Sequence, residues 1–226
     1  MLSEMFWKLW ESGLIQKGIW ETVYMTLISS AISYLLGLPL GVILCVTDDG
    51  GIRPMKALNR VLGFVVNFFR SIPFIILMVA LLPVAKLVVG TALGNKAVIV
   101  MLVIGAAPYV ARMVESSVRE VNAGVIEAAQ SMGADNLQII FKVLLPEAKP
   151  ALITGAAISV VTILSYSAMA ATIGGTGLGQ IAIIDGHQRS NADITWICVF
   201  LTVIIVQIIQ EAGNFIARRT DKRINK

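Results

Sequence analysis

The chain has 226 residues, of which 57% are hydrophobic and only 14% are charged, and its formal net charge is +4. Together with a mean hydropathy of +0.82, this composition excludes an ordinary water-soluble domain and is typical of an integral membrane protein. The two cysteines, Cys45 and Cys198, exclude a disulfide framework and a multi-cysteine metal site. The basic residues lie in connections and at the carboxyl end rather than on one patch, so we expect a lipid membrane and no nucleic acid as partner.

Five hydrophobic stretches approach the length of about 20 apolar residues that a membrane-spanning helix needs. We therefore predict an all-α polytopic membrane protein in which residues 1–226 form a single transmembrane domain. The predicted spans are 23–47, 61–85, 97–113, 151–173 and 194–215. The second is predicted as one helix with uncertain ends, although it contains Arg70, Pro73 and Pro83. The fourth is expected to start after Pro150, and the glycines after Ile173 predict a turn or re-entrant piece.

The distribution of Lys and Arg predicts the orientation of the chain, because short cytoplasmic loops carry an excess of both. With the amino terminus outside, the carboxyl terminus in the cytoplasm and Arg70 set aside, 12 basic residues fall on the cytoplasmic side and 5 on the outer side. The cytoplasmic residues are Arg53, Lys56, Arg60, Arg112, Arg119, Lys142, Lys149, Arg218, Arg219, Lys222, Arg223 and Lys226. The outer residues are Lys8, Lys17, Lys86, Lys96 and Arg189.

The longest polar connection, 114–150, is patterned and falls on the predicted cytoplasmic side. Its helix-forming and capping residues predict two short helices. The first covers about 123–132 and ends at Gly133, which can adopt a left-handed conformation at little cost. The second begins with Asp135 as its amino cap and Gln138 three residues later, a capping-box arrangement. Two short helices joined at a glycine are suited to insertion into the groove of another protein.

The same connection contains a motif with fixed spacing: Glu127, Ala128 and Ala129, then Gly133 after three residues, and Leu145-Pro146 at the far end. This pattern resembles the "EAA" cytoplasmic loop of the permease subunits of bacterial ABC importers, with Val143 where isoleucine is usual. Six positions fit over 20 residues, which makes the signal specific. Four further segments resemble the methionine-importing branch of that family, and they extend the likeness from Gly18 to the tail; they are 18–22, 69–74, 105–115 and 166–169 with 174–180.

The resemblance implies a type I ABC importer permease in a bacterial inner membrane. It implies a homodimer of this chain, two ATPase subunits on the cytoplasmic face and a periplasmic or lipid-anchored methionine-binding protein outside. It also implies that the chain is not an enzyme and binds no cofactor itself, since ATP and Mg²⁺ would bind to the ATPase subunits. The residues that it assigns to coupling with the ATPase are Glu127, Ala128, Ala129, Gly133, Ala134, Leu145 and Pro146. The expected substrate is methionine, in its L and D forms.

Several single residues admit two interpretations. Glu127 is either a solvated surface carboxylate or a contact with the ATPase, and the length of the motif favours the contact. Arg70 is interpreted first as a side chain that reaches the cytoplasmic interface from the start of a helix, and second as part of the transport pathway. Met169 is either a packing residue or, beside Tyr166 and Ser167, part of a gate at a dimer axis.

Other sources of energy and other functions are less well supported by the residues. Apart from Arg70, the apolar stretches of the spans, which end at Ala111 for the third and at Gln210 for the fifth, contain no Asp, Glu, Lys, Arg or His. Proton-coupled transporters usually place such groups at membrane depth, so a proton antiporter is disfavoured, whereas sodium coupling through backbone carbonyls stays open. The glycine cluster at 174–179 has no following Lys-Ser or Lys-Thr and is not a phosphate loop. The alternative is a stand-alone secondary carrier or channel; an intramembrane enzyme ranks last.

Overall fold

A computed structural model describes residues 2–221, and within that range the chain is helical with no β-strand. The α-helices are α1 (Leu2–Glu11), α2 (Leu14–Thr47), α3 (Lys56–Ser71), α4 (Phe74–Val89), α5 (Asn95–Arg119), α6 (Ala123–Ser131), α7 (Asn136–Gln138), α8 (Leu145–Met169), α9 (Leu178–Gln180) and α10 (Ala192–Thr220). A π-helical segment, Ile139–Leu144, joins α7 to α8, a 3₁₀ turn, Ala170–Ile173, extends α8, and a second π-helical segment, Ile181–Gln188, follows α9. The all-α prediction is confirmed.

Four helical segments of the described chain are long and apolar enough to cross a membrane. They are Leu14–Thr47, Asn95–Arg119, Asn136–Ile173 and Ala192–Thr220. The pair α3 and α4 passes the same test only when taken together, which gives four spans, or five if the bent pair counts as one span. The prediction of about five spans is therefore confirmed. Of the basic residues used to predict orientation, Lys222, Arg223 and Lys226 lie outside the described residues.

The prediction of one helix over 61–85 is wrong, because α3 and α4 meet at a bend of 107°. The break falls at Pro73, which has φ −54° and ψ 130° and precedes the first residue of α4. A proline lacks the N–H that a continuing helix would use, and its ring disfavours helical geometry for the residue before it. Arg70 consequently lies in the last turn of α3. The expectation that Arg70 lies at the start of a membrane helix is therefore wrong.

The helix that carries the fourth predicted span does not begin after Pro150. One continuous helical segment runs from Asn136 to Ile173, so the second short helix of the polar connection is continuous with the helix that carries this span. Its π-helical turns end at Leu145, whose N–H donates to Ile140 O five residues back. The wider π-helical turn accommodates the absent N–H and the ring of Pro146, and the helix continues through Pro150 on the hydrogen bonds of its neighbours.

The chain divides into two compact units. The first unit contains Met1–Ile32, Ile72–Ala106 and Val160–Ile209. The second unit contains Ser33–Ser71, Ala107–Ser159 and Gln210–Lys226. The polar connection, including the turn at Gly133, belongs to the second unit, and the residues around Met169 belong to the first.

The first unit is organised around the glycine-rich turn after α8. Gly174 ends the 3₁₀ turn with φ 82°, which confirms the predicted turn, and Gly177 has φ 101°. The backbone then approaches α2 closely: the N–H of Leu178 donates to Thr22 Oγ1 at 2.9 Å, and a Cβ on Gly177 would lie 2.6 Å from the same oxygen. Leu178 is fully buried in a cluster with Ile181, Ile194 and Cys198. The glycines therefore let the turn pack against the membrane helices.

The second unit has a valine-rich core. Three valines of α5, Val110, Val114 and Val118, recur at helical spacing and share a buried cluster with Val42 and Val46 of α2. Val121, which follows the end of α5, belongs to the same cluster. Gly37 of α2 permits this close approach, because a Cβ there would lie 2.6 Å from Val110 Cγ1. Leu144 and Ala148 belong to the same buried cluster, so the stem of the polar connection is anchored in this core.

Candidate functional site

The polar connection folds into a helical elbow, which we define as residues 123–144. Its first arm is α6, whose amino cap Asn122 accepts a hydrogen bond from the N–H of Gly124 at 2.8 Å. The arm ends at Gly133, which has φ 80°. The N–H of Gly133 donates to Gln130 O at 2.9 Å, and the N–H of Ala134 donates to Ala129 O at 3.1 Å. This pair of bonds is the Schellman motif, which confirms the predicted glycine end of the first helix.

The second arm begins immediately after the turn, at α7. Asp135 Oδ1 accepts the N–H of Gln138 at 2.8 Å, and Gln138 Oε1 accepts the N–H of Asp135 at 3.2 Å. These reciprocal bonds confirm the predicted capping box. The end of α6 and the start of α7 are thus both hydrogen-bonded to neighbouring residues, so the bend is a defined conformation of residues 131–136.

The tip of the elbow presents apolar side chains to the outside of the chain. Met132 is 81% exposed, Leu137 66% and Phe141 65%, and Ala128 is exposed as well. Ala129, Ile139 and Leu144 point the other way and are buried. Exposed apolar side chains in a polar connection indicate a contact surface for another protein.

Glu127 lies on α6 and is exposed. Glu127 also lines a cavity of about 570 Å³ between α6, the end of α5 and the connection from α2 to α3. Asp48, Arg119 and Gln130 contribute further polar groups to this cavity. Glu127 is therefore accessible from outside, while α6, which carries it, borders this cavity of the second unit.

The far end of the motif has a different environment. Leu145 is partly buried against the valine-rich core, and Pro146 is exposed in the first turn of α8. The structure therefore separates the predicted coupling residues into an exposed elbow, with Glu127, Ala128, Gly133 and Ala134, and a stem that joins the elbow to a membrane helix.

The predicted gate residues lie at the end of α8 in the first unit. The ring of Tyr166 stacks on Phe74, with 4.2 Å between centroids. The Ser167 hydroxyl is buried and donates to Leu164 O at 2.7 Å. Met169, the last residue of α8, is 41% exposed. Arg70 is exposed and belongs to the second unit.

The sequence analysis missed a cluster of charged residues. Glu115 is only 5% exposed, and its carboxylate contacts Arg112 at 2.6 Å and Arg119 at 2.8 Å. Arg119 also contacts Asp48, at 2.7 Å. The spacing of 112, 115 and 119 places these side chains on one helical face and could have indicated the cluster. The span was predicted to end at 113, whereas α5 continues to Arg119.

Comparison with known proteins places the chain in a transport family. A family model described as the binding-protein-dependent transport system inner membrane component matches residues 37–226. A probable D-methionine transport system permease protein of Vibrio cholerae is 51% identical over 217 residues, which cover 96% of each chain. A methionine import system permease protein of Bacillus subtilis is 48% identical over 204 residues, covering 90% of this chain and 92% of the relative.

Solved structures agree with the same assignment. A chain of the methionine ABC transporter MetNI in an inward-facing conformation is 44% identical, has a TM-score of 0.91, and is matched over 97% of this chain and 99% of its own length. A chain from an amino acid ABC transporter, at 19% identity and a TM-score of 0.78 over 95% of this chain, shares the fold. The predicted type I importer architecture is confirmed. The chain belongs to the family of binding-protein-dependent transport system inner membrane components.

Proposed function

We propose that this chain is the membrane-spanning permease subunit of an ATP-driven methionine importer. Its relatives are named as methionine transport permeases at 48 to 51% identity over nearly their whole length, and its fold matches a chain of a methionine ABC transporter. The names mention both methionine and D-methionine, which supports import of both stereoisomers. In this proposal the chain supplies the translocation pathway, and a separate ATPase subunit binds ATP and Mg²⁺ and hydrolyses the nucleotide.

The observation that carries the proposal is the capped elbow at 123–144. A membrane transporter has no need of a preformed, exposed pair of helices unless another protein engages it. The elbow exposes Met132, Leu137 and Phe141 around Ala128, while Leu144 fixes its stem in the second unit's core. We therefore assign the elbow as the surface that enters a groove of the ATPase, with Glu127 as a polar contact. Because the elbow continues directly into α8, a movement of the ATPase would act on a membrane helix.

The proposed assembly is a homodimer of this chain with two ATPase subunits and an external methionine-binding protein. A chain with five spans is too thin to enclose a pore, which a symmetric dimer could form. The surface of α10 is available to a partner subunit or to lipid, since only 17% of the most apolar stretch of this helix is buried within the chain. The exposed side chains of this helix include Trp196, Phe200, Val203 and Ile204.

We further infer that the amino terminus faces outward and the carboxyl terminus faces the cytoplasm of a bacterial cell. The excess of Lys and Arg in the connections that this orientation makes cytoplasmic supports it. In this orientation the elbow lies on the cytoplasmic side, where an ATPase would be. Labelling of single cysteines at exposed positions, Lys8 and Met132, with a membrane-impermeant reagent on intact cells tests this inference. Labelling of Met132→Cys from outside would contradict it.

The proposed gate is the end of α8, where exposed Met169 follows buried Ser167 and Tyr166 stacks on Phe74. Across a dimer axis, two Met169 side chains could close the pathway. Arg70 is a weaker candidate for the pathway, because its position in the last turn of α3 suits a cation near a helix carboxyl end.

Reconstitution tests the function directly. The chain is purified with and without its ATPase subunit, and uptake of labelled L- and D-methionine into liposomes is measured in the presence of the external binding protein. We expect uptake only with both the ATPase and ATP. Uptake by the chain alone would favour the stand-alone carrier or channel, an alternative that membership of a binding-protein-dependent family does not support.

A matched pair of variants tests the elbow as the docking surface. Phe141 on the elbow is 65% exposed, and Phe64 on α3 is 70% exposed in the same unit. We expect Phe141→Ala to reduce the amount of ATPase that co-purifies in mild detergent, whereas Phe64→Ala should leave it unchanged. Equal retention of the ATPase by both variants would contradict the assignment of the elbow.

A further inference from the structure

The charged cluster at the end of α5 joins three parts of the second unit. Arg119 binds Glu115 at 2.8 Å and Asp48, which directly follows α2, at 2.7 Å. Arg112 binds Glu115 at 2.6 Å. We refer to Asp48, Arg112, Glu115 and Arg119 as the ion cluster.

Arg112 extends the ion cluster to α3. One of its terminal nitrogens, Nη1, donates to Glu115, and the other, Nη2, donates to Asn67 Oδ1 at 3.0 Å and lies 3.4 Å from Gly63 O. The guanidinium is planar, so both contacts are made by one rigid group whose orientation Glu115 sets. The buried carboxylate thereby determines how α3 is held against α5.

The ion cluster also lies at the base of the elbow. The helix α5 ends at Arg119, and α6 begins only four residues later at Ala123. Asp48 and Arg119 line the same cavity of about 570 Å³ as Glu127 and Gln130 of α6. A force applied to α6 therefore reaches the ion cluster before it reaches the membrane part of α5.

Aliphatic packing and hydrogen bonds both hold these helices together. The buried contact between α2, α3 and α5 at this level is otherwise made by aliphatic residues, among them Val66 and Leu44, whose packing is not directional. Charge-assisted hydrogen bonds are directional, and a buried carboxylate that loses them is strongly disfavoured. The ion cluster therefore makes the ends of these helices move together.

We propose that Glu115 is a positioning residue for energy coupling: it holds Arg112 and Arg119 so that α3 and the end of α2 follow the elbow when the ATPase moves it. This inference rests on the proposed function and adds the step that connects the elbow to helices other than its own. Loss of the carboxylate would let the ATPase cycle while the membrane helices respond incompletely.

The test measures methionine taken up per ATP hydrolysed by the reconstituted complex carrying Glu115→Gln. Allosteric coupling free energies commonly correspond to roughly 5- to 150-fold, so we expect this ratio to fall at least about fivefold while ATP hydrolysis changes by no more than about twofold. A purely structural role would lower the amount of intact complex and leave the ratio unchanged. A wild-type ratio for Glu115→Gln would overturn the proposal.

Two further variants sharpen the test. Glu120→Gln makes the same chemical change at an exposed carboxylate of the following turn and should keep the wild-type ratio. Arg112→Lys keeps a cation for Glu115 but cannot contact Asn67 and Gly63 with a second terminal nitrogen, so we expect its ratio to fall as well. If the Glu115→Gln chain does not assemble with the ATPase, the ratio measured for Arg112→Lys tests the proposal instead. A normal ratio for Arg112→Lys, or an equal fall for Glu120→Gln, would refute the role of the ion cluster. Absence of ATP-dependent uptake in the wild type would instead refute the proposed function.

Discussion

Replacing Gly133 by alanine perturbs the elbow through the backbone alone. The residue has φ 80°, and a Cβ added there would meet no atom within 4 Å, so no steric clash contributes. The left-handed conformation costs an L-amino acid roughly 1–2 kcal/mol. That cost lowers the population of the native elbow relative to alternatives by a factor of about 5 to 30. If the ATPase recognises the native elbow, the apparent affinity of the chain for the ATPase falls in proportion to the fraction of chains that keep this conformation, by at most the same factor.

The assay is ATP-driven methionine uptake by reconstituted complexes, together with the concentration of ATPase needed for half-maximal uptake. Gly90→Ala is the matched control, because Gly90 ends α4 with φ 78° and also has nothing within 4 Å of an added Cβ. It carries the same backbone strain at a helix end outside the elbow. We expect Gly133→Ala to require more ATPase, Gly133→Asn to be milder because asparagine tolerates this conformation, and Gly90→Ala to behave as wild type.

Two results would refute this reasoning. Normal ATPase dependence of Gly133→Ala would show that the conformation of the elbow does not matter for docking. An equal loss in Gly133→Ala and Gly90→Ala would show that strain at any helix end destabilises the chain, and that the elbow has no special role.

Three further predictions concern single residues. Met169→Cys should form an inter-subunit crosslink in the resting transporter if Met169 closes the pathway at a dimer axis; absence of the crosslink would eliminate the gate. Arg70→Lys should retain near-normal uptake, because a cation in the last turn of α3 needs only its charge, whereas loss of uptake would indicate a role in the pathway. Thr22→Val should lower the midpoint of thermal unfolding in detergent, since the buried N–H of Leu178 loses its acceptor at a cost of about 1–3 kcal/mol. An unchanged midpoint would mean that another group satisfies this N–H.

Local signals in the sequence predicted the elbow well. The glycine end of α6 at Gly133 and the capping box of Asp135 and Gln138 depend on residues at most a few positions apart, so their chemistry can be read directly from the chain. The helix breaks were harder to predict. Pro73 interrupts an apolar stretch and Pro150 directly precedes one, yet the first lies at a bend of 107° and the second within a continuous helix. A proline removes the same N–H in both places, and the surrounding structure decides whether the helix survives its loss.

Composition, helix caps and motif spacing were enough to predict an α-helical membrane protein with an elbow of the ABC-importer type, because these are properties of neighbouring residues. The fold was needed to show that the second arm of the elbow is continuous with the helix that carries the fourth span. It alone brought Asp48 and Asn67 to the buried Glu115 through two arginines. These contacts join residues far apart in the chain, and they form only because the folded helix junction pairs each charge closely enough to offset the cost of taking it out of water, which no local pattern encodes.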